Sequence, residues 1–267
     1  MTLLGMNSLM IRVVLAVALW TSLSSTALAQ DAVPVEILNR TLQIKVGNTF
    51  GTAFVIDYEG KMYIVTARHV VTGLPESKAT IQIQRSNQWV NFKTVQTLFP
   101  QSEDVDIAVF ETDEKAAQPF QIKSTELGGV TMGQPVWFLG YPYGLGSRFG
   151  TGDVKNGEVP PIASGVAPFI KRGTMSAIDG SNPNAVVLYI DGFNNPGFSG
   201  GPIVYWDFGK HAYGIVGVVQ GYRLDNAKTV VNGHPVDSEV LVNSGILIGY
   251  SIDHAIQAIK QSHAQHQ

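Results

Sequence analysis

The sequence predicts an all-β fold, arranged as β-barrels or a sandwich, that ends in one α-helix. Short runs that alternate apolar with polar residues recur along the chain between turn signals, as in 42–46 and 90–98. Apolar residues recur at helical spacing only near the end, between Ile252 and Ile259. Because helical segments do not alternate with the strands, a sheet of βα units is not expected.

The composition is that of a weakly acidic protein with few charges. The chain has 267 residues, a formal net charge of −3 and 15% charged residues, against roughly 25% in average globular proteins. This balance gives no reason to expect nucleic acid or an anionic membrane as a partner. The chain has no cysteine, which excludes a disulfide framework, a thiol nucleophile and a cysteine-bound metal. We expect no cofactor and no metal.

A secretory signal peptide is predicted at residues 1–29. Arg12 is its only charged residue, positions 13–20 are all apolar, and Ala27 and Ala29 are the small residues that signal peptidase accepts. The apolar run is much shorter than the ~20 residues of a membrane span. We therefore expect export to the periplasm or the medium, and no membrane span in the mature chain.

Two groups of strands are expected in the mature chain. After a polar arm at 30–40, the first group runs over 41–110, and a polar connection follows at 115–129. The second group runs over 135–251 and contains a stretch at 145–169 that is rich in Gly, Pro, Ser and Asn. Loops that long inside a compact domain are usually functional or mobile.

Three polar residues stand at positions where the apolar pattern does not require them. His69 ends one strand, Asp106 begins another, and Ser199 lies on a glycine-rich turn. Each alone has an ordinary explanation as a strand end or a turn residue, and Asp104 competes with Asp106. Together they meet the needs of nucleophilic catalysis, because a serine hydroxyl needs a histidine base and the imidazole needs a carboxylate partner. The turn leaves the N–H groups of Gly197 and Ser199 free to point at a developing oxyanion.

The segments around these three residues resemble those of the trypsin-like (chymotrypsin-fold) serine peptidases. They read Thr-Ala-Arg-His-Val at 66–70, Asp-Ile-Ala-Val-Phe at 106–110 and Pro-Gly-Phe-Ser-Gly-Gly-Pro at 196–202. The resemblance is greatest to the cysteine-free bacterial branch that includes the high-temperature-requirement peptidases. It covers about residues 42–260, nearly the whole mature chain.

This resemblance implies two antiparallel six-stranded β-barrels with a C-terminal α-helix and a site between the barrels. Residues 30–120 would form the arm and the first barrel, and residues 121–267 the second barrel and the helix. Ser199 would attack a peptide carbonyl, His69 would move the proton, and Asp106 would orient the imidazole. The implied activity is that of a serine endopeptidase that cuts polypeptides through an acyl-enzyme. The oligomeric state is left open.

The resemblance also implies a substrate pocket and two departures from relatives. The pocket would be lined by Phe193 and Asn194 before the serine and by Val218, Val219 and Gln220 on a later strand. Because Phe193 is not acidic, a small or medium apolar substrate side chain is preferred over Arg or Lys. Phe198 stands before the serine, where digestive relatives carry an aspartate. A PDZ module, which many high-temperature-requirement peptidases carry, is not expected here.

Two alternatives stand beside this interpretation. The glycine-rich turn at 197–201 also matches the nucleophile elbow of α/β-hydrolase esterases. That elbow needs a helix after the serine, and Gly200, Gly201 and Pro202 continue a helix poorly. The second alternative is a non-cleaving or latent binding protein on the same fold, because a fold does not by itself decide activity.

Overall fold

The computed structural model describes residues 32–85, 88–117, 122, 127–148 and 165–265. Within these residues it contains fifteen strands and two α-helices. The predicted signal peptide, most of the predicted loop at 145–169 and the predicted domain boundary at 120–121 lie outside them. The strands are β1 (Thr41–Val46), β2 (Thr49–Tyr58), β3 (Lys61–Thr66), β4 (Thr80–Arg85), β5 (Gln88–Lys93), β6 (Gln96–Leu98), β7 (Ala108–Glu111), β8 (Pro135–Gly140), β9 (Ser147–Arg148), β10 (Val166–Ala167), β11 (Phe169–Asp179), β12 (Val187–Asp191), β13 (Pro202–Asp207), β14 (Ala212–Val231) and β15 (His234–Ser251), and the helices are α1 (Val35–Arg40) and α2 (Asp253–Gln265).

The first seven strands form one antiparallel sheet in the order β5-β4-β1-β2-β3-β7-β6. Its two edge strands, β5 and β6, are separated along the chain by only Thr94 and Val95. The Thr94 N–H donates to the carbonyl of Ala79, next to β4, and the Val95 N–H donates to the carbonyl of Glu111 in β7. The strands β5 and β6 therefore act as two halves of one bent strand, so that the seven strands form a six-stranded barrel.

The second group of strands forms a closed antiparallel barrel in the order β11-β12-β15-β14-β13-β8. Alternate residues of these strands point inward, which explains the two-residue period of the sequence. The inward residues pack into one apolar core that includes Phe138, Leu188, Ile203 and Val219. A separate core that includes Ile44, Val55, Ile64 and Phe110 fills the first barrel. The predicted all-β fold with two barrels and a C-terminal helix is confirmed.

Helix α1 was not expected, because the sequence predicts an irregular surface arm at 30–40. In the structure Ile37 and Arg40 are both 1% exposed. The Arg40 guanidinium forms a 2.5 Å ion pair with Asp57 and donates to the carbonyl of Val55 at 3.2 Å. Burial lowers the pKa of Arg40, and the ion pair opposes this effect. A helix of six residues is too short to show a 3.6-residue period, so its existence depends on these contacts.

Helix α2 connects the two barrels. In the second barrel, the buried ring of His254 accepts a hydrogen bond through Nε2 from the N–H of Val186 at 2.9 Å. Near the other end of the helix, His263 Nε2 lies 2.7 Å from the hydroxyl of Tyr63 in β3 of the first barrel. Burial lowers the pKa of His254. Among the described residues, no helix has the length and apolar character that a bilayer crossing requires.

Candidate active site

The pairing of β3 with β7 brings His69 and Asp106 together. Thr66 at the end of β3 lies opposite Ala108 at the start of β7. His69 follows in a 3₁₀ turn, Arg68–Val71, and Asp106 lies two residues before β7. The Arg68 N–H donates to the carbonyl of Asp106 at 3.3 Å. An ordinary antiparallel register therefore places the two side chains next to each other.

Asp106 holds His69 through both carboxylate oxygens. Oδ1 accepts the backbone N–H of His69 at 2.8 Å, and Oδ2 lies 2.5 Å from Nδ1 of the ring. A carboxylate can only accept in this pair, so Nδ1 carries a proton and Nε2 of a neutral ring keeps its lone pair. Asp104, the competing residue of the sequence, makes its described hydrogen bond through its backbone to Ser102. The structure therefore pairs Asp106, and not Asp104, with His69.

The turn that carries Ser199 packs against the end of β3. The Ser199 carbonyl accepts the N–H of Thr52 in β2 at 2.9 Å. Gly200 has φ +82°, and a Cβ there would lie 2.2 Å from Thr66 Oγ1 and 2.7 Å from the nitrogen of Ala67. Only glycine fits at that position. The serine turn thus lies against the chain segment that leads directly into His69.

The Ser199 hydroxyl itself points to β14. It donates to the carbonyl of Gln220 at 3.1 Å, and no hydrogen bond joins it to His69 among the described residues. Burial, and then the charges of Asp106 and Asp104, raise the pKa of Tyr250 in β15 of the second barrel. The structure therefore brings the three predicted residues to one region but links only two of them by a hydrogen bond.

Two contacts fix the peptide groups on either side of Gly197. The Pro196 carbonyl accepts the N–H of Tyr143 at 2.8 Å, and the Gly197 carbonyl accepts the hydroxyl of Thr52 at 2.7 Å. In a trans peptide the N–H points opposite to the carbonyl, so the Gly197 N–H points away from Tyr143. In the described part of the chain, neither this N–H nor that of Ser199 has an acceptor. Two donors are therefore free on the serine turn.

Phe193 and Asn194, predicted pocket residues, differ in exposure. The Phe193 ring is 56% exposed, and Lys171 lies 5.6 Å from its centroid. Lys171 donates to the Phe193 carbonyl at 2.7 Å and to Asn195 Oδ1 at 2.5 Å, and burial lowers its pKa. Asn194 is buried and donates to the carbonyl of Gly221 at 3.0 Å. Both residues lie beside the serine turn, and their contact with substrate stays a prediction.

The other three predicted pocket residues lie on β14. The side chains of Val218 and Val219 are buried, and Val219 belongs to the core of the second barrel. The Val219 carbonyl accepts the N–H of Gly200 at 2.7 Å, as the Gln220 carbonyl accepts the Ser199 hydroxyl. These residues therefore meet the serine turn through their backbone, and a contact between their side chains and substrate stays a prediction.

Comparison with known proteins now identifies the family. The family model described as a trypsin-like peptidase domain matches residues 51–215, more than half of the chain. The chain belongs to this family. The match covers strands of both barrels and includes all three predicted site residues, and it confirms the resemblance found in the sequence.

Individual proteins similar to this chain include a plant protease and proteases of known structure. Protease Do-like 1, chloroplastic, from Arabidopsis thaliana is 28% identical over 182 residues, which cover 68% of this chain and 35% of that protein. The chain thus spans about a third of the length of that relative. Two solved structures share the fold. The HtrA-type protease AlgW with tripeptide has a TM-score of 0.53 at 17% identity and covers 84% of this chain and 60% of its own. The serine endoprotease from Yersinia pestis has a TM-score of 0.52 at 18% identity, with 85% and 63% covered.

Sequence reasoning missed several residues that shape the candidate site of this member of the trypsin-like peptidase family. Thr52 and Tyr143 hold the turn at Gly197, and Lys171 lies over Phe193. Thr52 looks like any threonine on a strand, and the Tyr143 contact uses only its backbone. The one local signal was the Gly-Tyr-Pro-Tyr-Gly run at 140–144, which predicts a tight turn without naming its partner. The described residues also contain no group of three His, Cys, Asp or Glu side chains placed to bind a metal ion.

Proposed function

We propose that this protein is an exported serine endopeptidase that uses His69, Asp106 and Ser199 as its catalytic residues. The observation that carries the proposal is the two-point contact between Asp106 and His69, at 2.8 and 2.5 Å, next to the packed serine turn. A carboxylate that grips both the backbone and the ring of a histidine orients that ring and stabilises its protonated form. This is what a base needs when it must take and return a proton.

In the proposed reaction, the Ser199 side chain turns from the Gln220 carbonyl to Nε2 of His69. Its oxygen then bonds to the carbon of the scissile peptide, and its proton passes to Nε2. The imidazolium returns this proton to the leaving amine as the carbon–nitrogen bond breaks, which leaves an acyl-enzyme on Ser199. A water molecule activated by the same nitrogen releases the acid and restores the serine. Asp106 stays ionised throughout.

The oxyanion hole would consist of the N–H groups of Gly197 and Ser199. Two observations support this assignment. Neither N–H group has an acceptor among the described residues, and the contacts of Tyr143 and Thr52 hold the peptide groups around Gly197 before substrate arrives. Donors that are already oriented stabilise the tetrahedral intermediate without reorganisation, and one such donor contributes roughly a hundredfold or more in rate. We therefore propose an oxyanion hole that is formed in the resting protein.

The substrate is proposed to be a polypeptide bound near Phe193, Asn194 and the segment 218–220. The exposed Phe193 ring favours an apolar substrate side chain at this position. Lys171, held beside the ring, would repel basic side chains. No cofactor is required by this mechanism. Export to the periplasm or the medium rests on the signal peptide predicted at 1–29.

Labelling with a fluorophosphonate probe tests the proposal. Folded wild type should be labelled at Ser199 and should cleave a peptide library. Ser199→Ala should abolish both activities, whereas Ser77→Ala, at an exposed serine, should change neither. His69→Ala should lower labelling at least a thousandfold while the unfolding midpoint stays near that of wild type. Labelling that survives Ser199→Ala would refute the assignment.

One observation favours the alternative of a latent or non-cleaving binding protein. The Ser199 hydroxyl is bonded to Gln220 and not to His69, so the resting geometry is not that of an activated nucleophile. Under this alternative, folded wild type binds polypeptide but is not labelled. The esterase alternative lacks support, because β13 begins at Pro202 where the elbow requires a helix.

A further inference from the structure

Strands β14 and β15 continue far beyond the second barrel as a two-stranded ribbon, defined here as residues 224–231 and 234–243. Strand β14 pairs with β13 only as far as Val218, and β15 pairs with β12 only from Ile246 onward. Cross-strand pairs between β14 and β15 continue to Val231 and His234. At about 3.3 Å per residue, this ribbon extends roughly 25 Å.

The ribbon carries an unusual number of exposed apolar side chains. A two-stranded hairpin is marginally stable in water, and apolar surface on it indicates a partner. Among the described residues, no third strand pairs with either strand of the ribbon. The exposed apolar residues of the ribbon are between 39 and 63% exposed, and they are Leu224, Val230, Val231, Val236, Val240, Leu241 and Val242.

The free edge of β14 begins at the candidate active site. Gly200 and Gly201 bond to the backbone of Val219, and the Ser199 hydroxyl bonds to the carbonyl of Gln220. The carbonyl of the next residue, Gly221, accepts the side chain of Asn194. Beyond Gly221, the backbone of β14 pairs only with β15 in the described structure. One strand, whose register with β15 shifts at 219–221, 222–224 and 228–230, therefore leads from the serine hydroxyl to the exposed apolar residues of the ribbon.

The charges of the ribbon and its root argue for an apolar polypeptide as the occupant. Three acidic and two basic side chains are mixed here and leave a formal charge of −1, so neither nucleic acid nor an anionic membrane is attracted. An extended polypeptide adds to a free strand edge through backbone hydrogen bonds, and its side chains contact those of the edge strand. The charged residues are Arg223, Asp225, Lys228, Asp237 and Glu239.

We propose that the ribbon is a docking strand for long, extended, apolar-rich polypeptide substrates. This inference rests on the proposed peptidase function and names its substrate class. A chain with one peptide bond at Ser199 first passes Gln220 and can then pair along the eight residues 224–231 of the β14 edge, because the added strand has the same rise per residue. Short peptides cannot reach the ribbon, and folded proteins do not offer a free extended segment to it.

A ribbon-shortened variant tests the proposal. Residues 225–242 are replaced by Asn-Gly, which makes a two-residue hairpin between Leu224 and Asn243. Fluorophosphonate labelling and cleavage of a tetrapeptide substrate should stay within about twofold of wild type. Cleavage of a chemically unfolded, apolar-rich polypeptide should lose at least tenfold in kcat/KM, mostly through KM.

Point variants provide the matched control. Leu241→Ser with Val240→Ser removes exposed apolar area from the ribbon and should lower long-chain cleavage alone. Phe208→Ser and Met132→Ser, whose side chains are 57 and 65% exposed but lie outside the ribbon, should leave it unchanged. Equal loss in both pairs of variants would mean that general surface hydrophobicity, and not the ribbon, binds the substrate.

Binding measured without cleavage separates this inference from the peptidase proposal. In a Ser199→Ala background, fluorescence anisotropy of a labelled unfolded polypeptide should show binding that the ribbon-shortened form loses. If wild type is not labelled but this difference remains, the peptidase proposal fails and the docking strand stands. Light scattering measures the oligomeric state of the ribbon-shortened form. If shortening only dissociates an oligomer and leaves polypeptide binding intact, the ribbon joins copies of this chain, and the proposal is overturned.

Discussion

Replacing Thr52 with valine should destabilise the fold and slow the reaction of Ser199 with a fluorophosphonate, although Thr52 is not one of the proposed catalytic residues. The Thr52 hydroxyl donates to the Gly197 carbonyl at 2.7 Å and accepts the N–H of Tyr141 at 3.1 Å. Thr52 belongs to the first barrel, and both of its partners belong to the second. Valine has nearly the same shape, so the substitution removes the two hydrogen bonds without opening a cavity.

The expected cost in stability follows from the two hydrogen bonds that the Thr52 hydroxyl no longer makes. A buried donor or acceptor that loses its hydrogen bond costs roughly 1–3 kcal/mol. Thr52 is fully buried, and its hydrogen bond with Tyr141 is also buried. Because the Gly197 carbonyl and the Tyr141 N–H both lose their hydrogen bond to the Thr52 hydroxyl, Thr52→Val should lower the free energy of unfolding by about 3 kcal/mol. Fluorophosphonate labelling of Ser199 should slow by about tenfold or more, because a loss of 1.4 kcal/mol in the transition state already has that effect.

Guanidinium chloride unfolding, followed by tryptophan fluorescence, measures the stability. Thr80→Val is the matched control, because Thr80 is exposed on β4 and its side chain makes no described hydrogen bond. That control should stay within about 0.5 kcal/mol of wild type. If Thr52→Val costs no more than Thr80→Val and labels at the wild-type rate, the argument that Thr52 anchors the turn at Gly197 is refuted.

Two further predictions concern stability. Burial lowers the pKa of His254 in the folded protein. Below about pH 6.5 the unfolded chain therefore binds more protons at this residue than the folded protein does. The free energy of unfolding should fall as the pH falls through that value, by at most about 1.4 kcal/mol per pH unit. His254→Gln, which keeps an acceptor but does not titrate, should reduce this slope in urea titrations between pH 7.5 and 5.5. Gly233→Ala, where φ is +80° and nothing lies near the new Cβ, should cost about 1–2 kcal/mol. Gly200→Ala, where φ is +82° and the Cβ would lie 2.1 Å from the Thr52 carbonyl oxygen, should cost several times more by the same measurement.

Two outcomes would contradict these predictions. An unchanged pH slope in His254→Gln would mean that other groups account for the acid sensitivity. Equal costs for Gly200→Ala and Gly233→Ala would mean that the backbone conformation, and not the close packing of the serine turn, sets the requirement for glycine.

The class of fold and the family were accessible from the sequence because both are written in local patterns. Strands that alternate with a period of two reveal half-buried sheets wherever one face is buried. The segments around His69, Asp106 and Ser199 are short local motifs, and the family comparison confirmed the family that these motifs indicate. The catalytic roles of these three residues, the pocket residues and the domain limits stay predictions.

Tertiary contacts decided the rest, because they join residues that no local period relates. Helix α1 exists through the burial of Ile37 and Arg40, and the two halves of one bent strand close the first barrel. The direction of the Ser199 hydroxyl and the anchors at Gly197 depend on partners from 21 to 145 positions away. A sequence period describes only which face a residue occupies. The partner on that face, and hence the orientation of a hydroxyl or a peptide group, is set when distant segments pack together.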